Sequence, residues 1–201
     1  TPTTIEAPEP PLAPNEQKAK CVPSMVRRSK AEVIHACYWL NALGHLSFDN
    51  LVDALNAGDK LGLVDAAFLH LDGVPDHALE YDDGLYHDAR KDQIERDVSK
   101  TKRVLSESPT MLVCRIRLDA PPLPITDHPR LVIAHTHGTP DRARDPGRAA
   151  KAMATKFAAH PDVSEMLRKR LNARKASGID RDAENVAHAF FLKALAKYKA
   201  D

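Results

Sequence analysis

The sequence has 201 residues, of which 43% are hydrophobic and 28% are charged. This balance is typical of a soluble globular protein and excludes an intrinsically disordered chain. No apolar run approaches the roughly 18 residues that a membrane helix needs, so we expect no membrane partner. The formal net charge of +1 gives no argument from overall charge for binding to nucleic acid.

The cysteines indicate the compartment. Cys21, Cys37 and Cys114 are odd in number and far apart, which excludes a disulfide framework and a Cys-x-x-Cys zinc site. The first residues also lack the basic-then-apolar pattern of a secretory signal. We therefore expect an intracellular protein, cytoplasmic or nuclear, with association with a virus or a mobile element as a further setting.

Charge is distributed unevenly along the chain. Residues 49–97 contain 13 acidic side chains against 4 basic ones, and residues 142–175 contain 10 basic against 3 acidic ones. One interpretation is that solvated helix faces of opposite sign balance each other. The other is that the acidic segment holds a site and the basic segment binds a polyanion.

The predicted elements begin after a tail. Six of the fifteen prolines fall within residues 1–23, which predicts an extended segment there. Ser29 and Glu32 have the spacing of a capping box. Apolar residues then recur at helical spacing as far as Gly44, which is a natural end for the helix.

A second, shorter helix is predicted from Phe48 and ends at Gly58. Four strands follow, with one charged helix over residues 88–106 between the second and the third. The four strands are predicted over residues 61–71, 78–81, 111–118 and 131–137. The first two form a hairpin, and the rest of the chain forms two or three helices with breaks at Pro161 and Gly178.

This order of elements predicts an α/β fold, in which helices flank a mixed β-sheet and the C-terminal part is helical. We divide the chain into an extended tail (1–23), an α/β core (24–138) and a basic helical extension that packs on the core (139–201). No glycine-rich phosphate loop occurs, so the sequence does not support nucleotide-dependent chemistry.

Carboxylates collect where the predicted hairpin pairs its strands. Glu80 and Asp82 are two residues apart and face the same way, and the hairpin brings Asp65 near Glu80. Such carboxylates repel each other, so either their pKa values rise or a divalent cation lies between them. Oxygen ligands favour Mg²⁺ or Mn²⁺ over Zn²⁺, and His87 is a candidate general base or further ligand. The alternative interpretation is an exposed acidic loop between strand ends.

The sequence ALEYDDGLYH at residues 78–87 resembles the signature of very-short-patch-repair-like endonucleases, within the PD-(D/E)XK restriction-endonuclease-like superfamily. Four other segments resemble elements of that family in the same order. Residues 29–44 resemble its opening helix, and residues 63–69 resemble the strand with its first acid. Residues 96–105 resemble the next helix, and residues 112–117 resemble the next strand. The resemblance spans residues 29–118.

The resemblance implies a restriction-endonuclease-like fold and a metal-dependent endonuclease that hydrolyses phosphodiester bonds of DNA, with duplex DNA as the expected partner. It implies that Asp65 and Glu80 bind Mg²⁺ or Mn²⁺, and that Asp82 is a direct or water-mediated ligand. His87 would assist proton transfer. Glu32 would hold a water or orient a ligand.

Two positions depart from the superfamily pattern. Asp82 replaces the usual lysine of the Glu-x-Lys motif, so Lys100 or Lys102 of the following helix is the candidate to supply that amine. Asp83 is an additional acid before the glycine and alters the spacing to His87. Both departures leave open a catalytically silent module that acts as a DNA-binding or assembly protein.

Basic residues provide candidate DNA contacts. Arg115 and Arg117 alternate on one strand face, where they either contact phosphates or lie in solvent at a strand edge. The basic extension would contact the DNA backbone without reading its sequence. Its candidate residues are Arg142, Arg144, Arg148 and Lys151. A homodimer or a larger assembly is also left open.

A second metal hypothesis depends on His135 and His137, which follow a predicted strand and have Asp141 nearby. A His-x-His pair at a strand end is a zinc-binding arrangement in several hydrolase folds. The later segments supply no cluster of further ligands. We therefore expect both histidines to be surface residues.

Overall fold

The computed structural model describes residues 29–62, 64–83, 91–125, 128–137, 145–174 and 180–198. The predicted proline-rich tail lies outside these ranges. So do some of the candidate site residues, namely His87, Asp141, Arg142 and Arg144.

The described residues form six helices and four strands. In chain order they are α1 (Lys30–Leu43), α2 (Phe48–Lys60), β1 (Ala66–Phe68), β2 (His77–Asp83), α3 (Lys91–Glu107), β3 (Leu112–Leu118), β4 (Leu131–Thr136), α4 (Pro146–Ala158), α5 (Glu165–Ala173) and α6 (Arg181–Tyr198). None of these helices combines the length and the apolar character that crossing a membrane requires.

The four strands form one sheet in the order β1-β2-β3-β4. β1 and β2 are antiparallel and form the predicted hairpin, whereas β2 with β3 and β3 with β4 are parallel. The helix α3 lies between β2 and β3 in the chain, as a crossover between parallel strands requires. The predicted α/β class with a mixed sheet and flanking helices is confirmed.

The helix α1 begins and ends where its sequence predicts. The hydroxyl of Ser29 accepts a hydrogen bond from the Glu32 amide, and the Glu32 carboxylate accepts one from the Ser29 amide, both at 3.2 Å. These two bonds complete the capping box. Gly44 ends the helix with a φ of 79°, a left-handed conformation that glycine adopts without strain.

The helix α2 is longer than predicted. It continues through Gly58 to Lys60. Gly58 is needed because the chain after the helix passes close to it: a Cβ there would be 2.6 Å from the carbonyl oxygen of Val64. The glycine therefore permits close packing and does not end the helix, and the strand predicted over residues 61–71 shortens to the three residues of β1.

The two faces of the sheet are covered by different helices. On one face α1 and α4 pack around Trp39, His77 and Phe157, whose rings are in edge or tilted contact. On the other face α3 packs through Val104 against residues that include Val113 of β3. Alternate residues of β2 and β3 point to these two layers, so both faces of the central strands are buried.

The C-terminal helices pack on the same core as α1. Phe190 of α6 is completely buried in it. The Tyr38 hydroxyl of α1 donates a 3.0 Å hydrogen bond to Glu184 of α6 and accepts one from the Asp180 amide at 3.1 Å. These contacts hold the start of α6 against α1.

Candidate active site

The candidate site lies where β2 faces α3. Glu80 is in the middle of β2, and Lys100 reaches it from α3. The β1–β2 register pairs Ala66 with Leu79, so Asp65 stands at the level of Glu80 just before β1. Residues opposite each other in a ladder point to the same face, so the hairpin places these two carboxylates together.

The carboxylate of Asp65 is bonded to the main chain of β2. Its Oδ2 accepts a 2.6 Å hydrogen bond from the Tyr81 amide. Burial raises the pKa of Asp65 well above its usual value, and the carboxylates of Glu80 and Glu32 raise it further. Lys100 and the Tyr81 amide act in the opposite direction. A bound cation would favour the ionised form of this group.

Glu80 and Lys100 form an ion pair that connects β2 with α3. The Lys100 Nζ is 2.7 Å from Oε1 of Glu80 and donates a 2.9 Å hydrogen bond to Oε2. Burial raises the pKa of Glu80, and the cations Lys100 and Arg115 oppose that rise. Oε1 is buried against the Lys100 ammonium, so a cation at this oxygen would compete with the ion pair.

Glu32 approaches the site from the first turn of α1. Its carboxylate accepts a hydrogen bond from the Ser29 amide and is close enough to Asp65 to raise the pKa of that residue. The capping box therefore both begins α1 and places a carboxylate near Asp65.

Asp82 lies in a buried network of two acids and two arginines. Its Oδ1 accepts from Nη2 of Arg115 at 2.6 Å, and its Oδ2 accepts from Nε of Arg115 at 2.9 Å and from Nη1 of Arg117 at 3.0 Å. Asp97 of α3 completes the network, 3.1 Å from Arg117 and 3.5 Å from Arg115. All four side chains are at most 5% exposed, and their formal charges cancel.

This placement does not fit the predicted role of Asp82 as a metal ligand and catalytic acid. Both of its oxygens are bonded to guanidinium groups, and its side chain is completely buried. A cation could reach Asp82 only by displacing the arginines. Of the three predicted metal ligands, the structure brings Asp65 and Glu80 together and puts Asp82 into the neutral network.

The prediction that Arg115 and Arg117 contact DNA phosphates does not fit the structure either. Their side chains are 1% and 0% exposed, and their donors are directed to groups of the protein. Every residue of β3 is buried, since β3 is a central strand with helices on both faces of the sheet. The arginines are buried because Asp82 and Asp97 neutralise them there.

Several of the described basic residues in the C-terminal part form hydrogen bonds with main-chain carbonyls of the protein. Arg168 and Arg170 donate to main-chain carbonyls at the ends of α4 and α1, at 2.8 and 2.7 Å. The half-buried Lys151 donates to the Asn172 carbonyl at 3.1 Å. Of the four predicted DNA contacts in this region, Arg148 and Lys151 lie in α4, within the described part of the chain.

The two histidines of the alternative metal hypothesis lie at the surface, as expected. His135 is exposed in β4. The His137 side chain is 87% exposed, and its Nδ1 is 3.3 Å from Oδ1 of Asp119.

The donor set of the candidate site fits a hard divalent cation. Among the described residues, no group of three or more His, Cys, Asp or Glu side chains could hold a metal ion by itself. Mg²⁺ does not need three such side chains, because it is commonly bound by one or two carboxylates together with waters and substrate phosphates. The half-buried carboxylate of Asp65 and the buried carboxylate of Glu80 provide such a pair, with the cation competing with Lys100 for Glu80.

Sequence reasoning missed how the network is assembled. Glu80 and Asp82 are two residues apart, as are Arg115 and Arg117, and the β2–β3 register places each acid opposite an arginine. The matching spacing of opposite charges in two predicted strands was the available signal. Thr101, which also contacts Arg115 at 2.8 Å, carried no signal of its own.

Comparisons with known proteins identify no relative of this chain. No protein-family model, no curated protein and no solved structure matches the chain. The family resemblance therefore stays a prediction from the sequence, and the function has to be argued from the site itself.

Proposed function

We propose that this protein hydrolyses phosphodiester bonds of DNA, with Mg²⁺ or Mn²⁺ as cofactor and a restriction-endonuclease-like arrangement of its α/β fold. One observation carries the proposal. Asp65 stands at the level of Glu80 just before β1 and is close enough for the Glu80 carboxylate to raise its pKa, and the ammonium of Lys100 is 2.7 Å from Glu80. Two carboxylates and one lysine are the groups that the sequence resemblance implies, with the lysine supplied by α3.

Asp65 and Glu80 are the residues that would hold the cation. When bound, Mg²⁺ or Mn²⁺ neutralises charge on the phosphate and favours ionisation of the attacking water. Without a cation, ionised carboxylates at this place repel a phosphate. Burial is the main cause of the raised pKa values of both residues. The Tyr81 amide keeps the Asp65 carboxylate in one orientation.

Lys100 supplies the positive charge of the site. An ammonium group has three donors, and Glu80 accepts one hydrogen bond from it. The Lys100 side chain is 27% exposed, so its remaining donors are able to reach a phosphate oxygen or a water at the mouth of the site. A donor fixed beside a developing negative charge lowers the barrier to the reaction.

The remaining parts of the proposal concern the substrate. Duplex DNA is the proposed partner, with backbone contacts from Arg148, Lys151 and the preceding basic residues Arg142 and Arg144. His87 is the proposed general base. An intracellular location, cytoplasmic or nuclear, and a homodimer or a larger assembly belong to the same proposal.

The test is cleavage of duplex DNA by the full chain with Mg²⁺ or Mn²⁺, in wild type and in D65N and E80Q. Both substitutions keep the shape of the side chain and remove one negative charge. We expect both variants to lose nearly all cleavage while remaining folded. D92N is the matched control. It makes the same chemical change at the surface, where the Asp92 side chain is 61% exposed and forms an ion pair with Arg96. Wild-type levels of cleavage in D65N and E80Q would contradict the proposed site.

A second candidate is a DNA-binding or assembly module without catalysis. It is favoured by the ion pair itself, since Lys100 neutralises Glu80 and leaves less negative charge to attract a cation. This candidate predicts that wild-type protein binds DNA but cleaves neither single-stranded nor duplex DNA with Mg²⁺ or Mn²⁺. The same cleavage assay distinguishes the two candidates.

A further inference from the structure

Arg115 connects the candidate site with the buried network. It lies in β3 directly opposite Glu80 of β2, and its side chain is 1% exposed. Its Nε and Nη2 bind Asp82 in a two-pronged ion pair at 2.9 and 2.6 Å. Because a guanidinium group is planar and rigid, this ion pair fixes the direction of the third nitrogen, Nη1.

The third nitrogen is bonded to a single turn of α3. Nη1 donates to Oγ1 of Thr101 at 2.8 Å and to the Asp97 carbonyl at 3.3 Å. The Thr101 hydroxyl donates to the same carbonyl at 2.7 Å. These contacts fall on the turn formed by residues 97–101, and Lys100 is part of that turn.

We infer that Arg115 is a positioning residue, which fixes this turn of α3 against β2 so that the Lys100 ammonium meets Glu80. Asp82 is the fixed end of the connection in β2, and Thr101 is its end in α3. A lysine reaches its partner on a flexible four-carbon chain, so the place of its ammonium depends on how firmly its backbone is held. The inference rests on the proposed function, since the Lys100–Glu80 pair has a role only if it acts on a substrate.

Arg130 provides a matched control for a purely structural role. It donates to the carbonyls of Leu105 and Ser108 at 2.6 Å and of Met111 at 3.1 Å, at the C-terminal end of the same helix. Arg130 therefore stabilises α3 without contacting the turn that carries Lys100. If Arg115 had only a structural role, R115K and R130K would affect the Lys100–Glu80 pair alike.

The experiment follows the ammonium protons of Lys100 by ¹H–¹⁵N NMR on the full chain, with K100M to assign the signal. Ammonium protons of a lysine in an ion pair with a buried carboxylate exchange with water more slowly than those of a free lysine, because the contact shields them from water for part of the time. We expect a slowly exchanging signal in wild type that is lost in E80Q and in R115K and kept in R130K. The milder substitution T101V removes the hydrogen bond from Arg115 to the Thr101 hydroxyl. We expect it to speed the exchange roughly fivefold, which corresponds to the loss of one ordinary hydrogen bond.

Three results would overturn the inference: fast exchange in wild type, unchanged exchange in folded R115K, or equal acceleration in R130K. If R115K fails to fold, T101V decides, since unchanged exchange in T101V contradicts the role of the Arg115–Thr101 contact. The NMR signal needs no substrate or metal. A failure of the protein to cleave DNA would therefore overturn the proposed function without affecting this measurement.

Discussion

Oδ2 of Asp82 and Nη1 of Arg117 are 3.0 Å apart, and both side chains are completely buried. The two residues face each other across the parallel pair β2 and β3. A charge left alone at such a place has no water to solvate it, so each member of the network depends on the others. This dependence explains why position 82 holds an acid: a lysine there would face the guanidinium groups of Arg115 and Arg117.

The first prediction concerns this network. We expect D82N to lower the free energy of unfolding by about 3–5 kcal/mol, because it leaves buried arginines without their shared partner. We expect D82K not to fold. The measurement is denaturant unfolding followed by circular dichroism.

D92N is the control for the same chemical change at the surface. Asp92 is 61% exposed and pairs with Arg96, so its substitution should change stability by less than about 1 kcal/mol. Equal small losses in D82N and D92N would show that the network is not maintained in solution.

The sequence predicts local structure well where one segment determines it. The capping box of Ser29 and Glu32 and the end of α1 at Gly44 depend on residues within a few positions, so the predictions agree with the structure. The hairpin that brings Asp65 level with Glu80 is also local. Gly58 shows the limit: only the later passage of Val64 past the helix makes that glycine a packing residue.

The burial of Arg115 and Arg117 could not be predicted in this way. Alternation along a strand distinguishes two faces but does not say which of them solvent reaches. Their partners Asp82 and Asp97 come from β2 and α3, so the neutralising contacts exist only after the sheet and helix assemble. The same assembly brings Lys100 to Glu80, which the sequence offered only as one of two candidates.

The second prediction concerns acid stability. His35 is buried and stacks on Tyr81, with ring centroids 3.7 Å apart. Burial lowers the pKa of His35 from 6.5 to about 3. The pKa of His35 is lower in the folded state, so the imidazole of the unfolded chain takes up a proton at a higher pH. The free energy of unfolding therefore decreases as the pH falls below 6.5. We expect H35F to remove this loss, worth about 2 kcal/mol between pH 7 and pH 5.

The measurement is the free energy of unfolding of wild type and H35F at both pH values. Nδ1 of His35 is buried without a hydrogen-bond partner in the described structure, so phenylalanine leaves no group unsatisfied there. H137Q is the control for the loss of an imidazole at the surface, because the His137 side chain is 87% exposed. The same pH dependence in H35F and wild type would contradict the assignment.

The third prediction concerns DNA binding by α4. We expect the double variant R148E/K151E to bind all duplex sequences more weakly and to have a smaller salt dependence. The slope of log K against log salt should fall by about 0.9 for each phosphate that the variant no longer neutralises. Fluorescence anisotropy over a series of salt concentrations measures both quantities.

K60E reverses one charge in α2, where Lys60 is exposed, and is compared with the single variants R148E and K151E, each of which makes the same change of charge in α4. It should leave the slope and the affinity close to those of wild type. An equal loss of affinity in K60E would mean that binding follows overall charge and that α4 is not the contact surface.

The last prediction concerns the reaction. Ca²⁺ accepts oxygen ligands but is larger than Mg²⁺ and tolerates irregular geometry, so we expect it to support DNA binding by wild type without cleavage. With Mg²⁺, K100M should lower the rate constant of cleavage by about 10²-fold or more, because it removes a donor beside the reacting phosphate. K102M is the matched control: Lys102 lies two residues further along α3, is exposed, and should be dispensable. Single-turnover cleavage of a labelled duplex measures these rates. Full activity in K100M, or an equal loss in K102M, would show that the ion pair of Lys100 with Glu80 has no part in the chemistry.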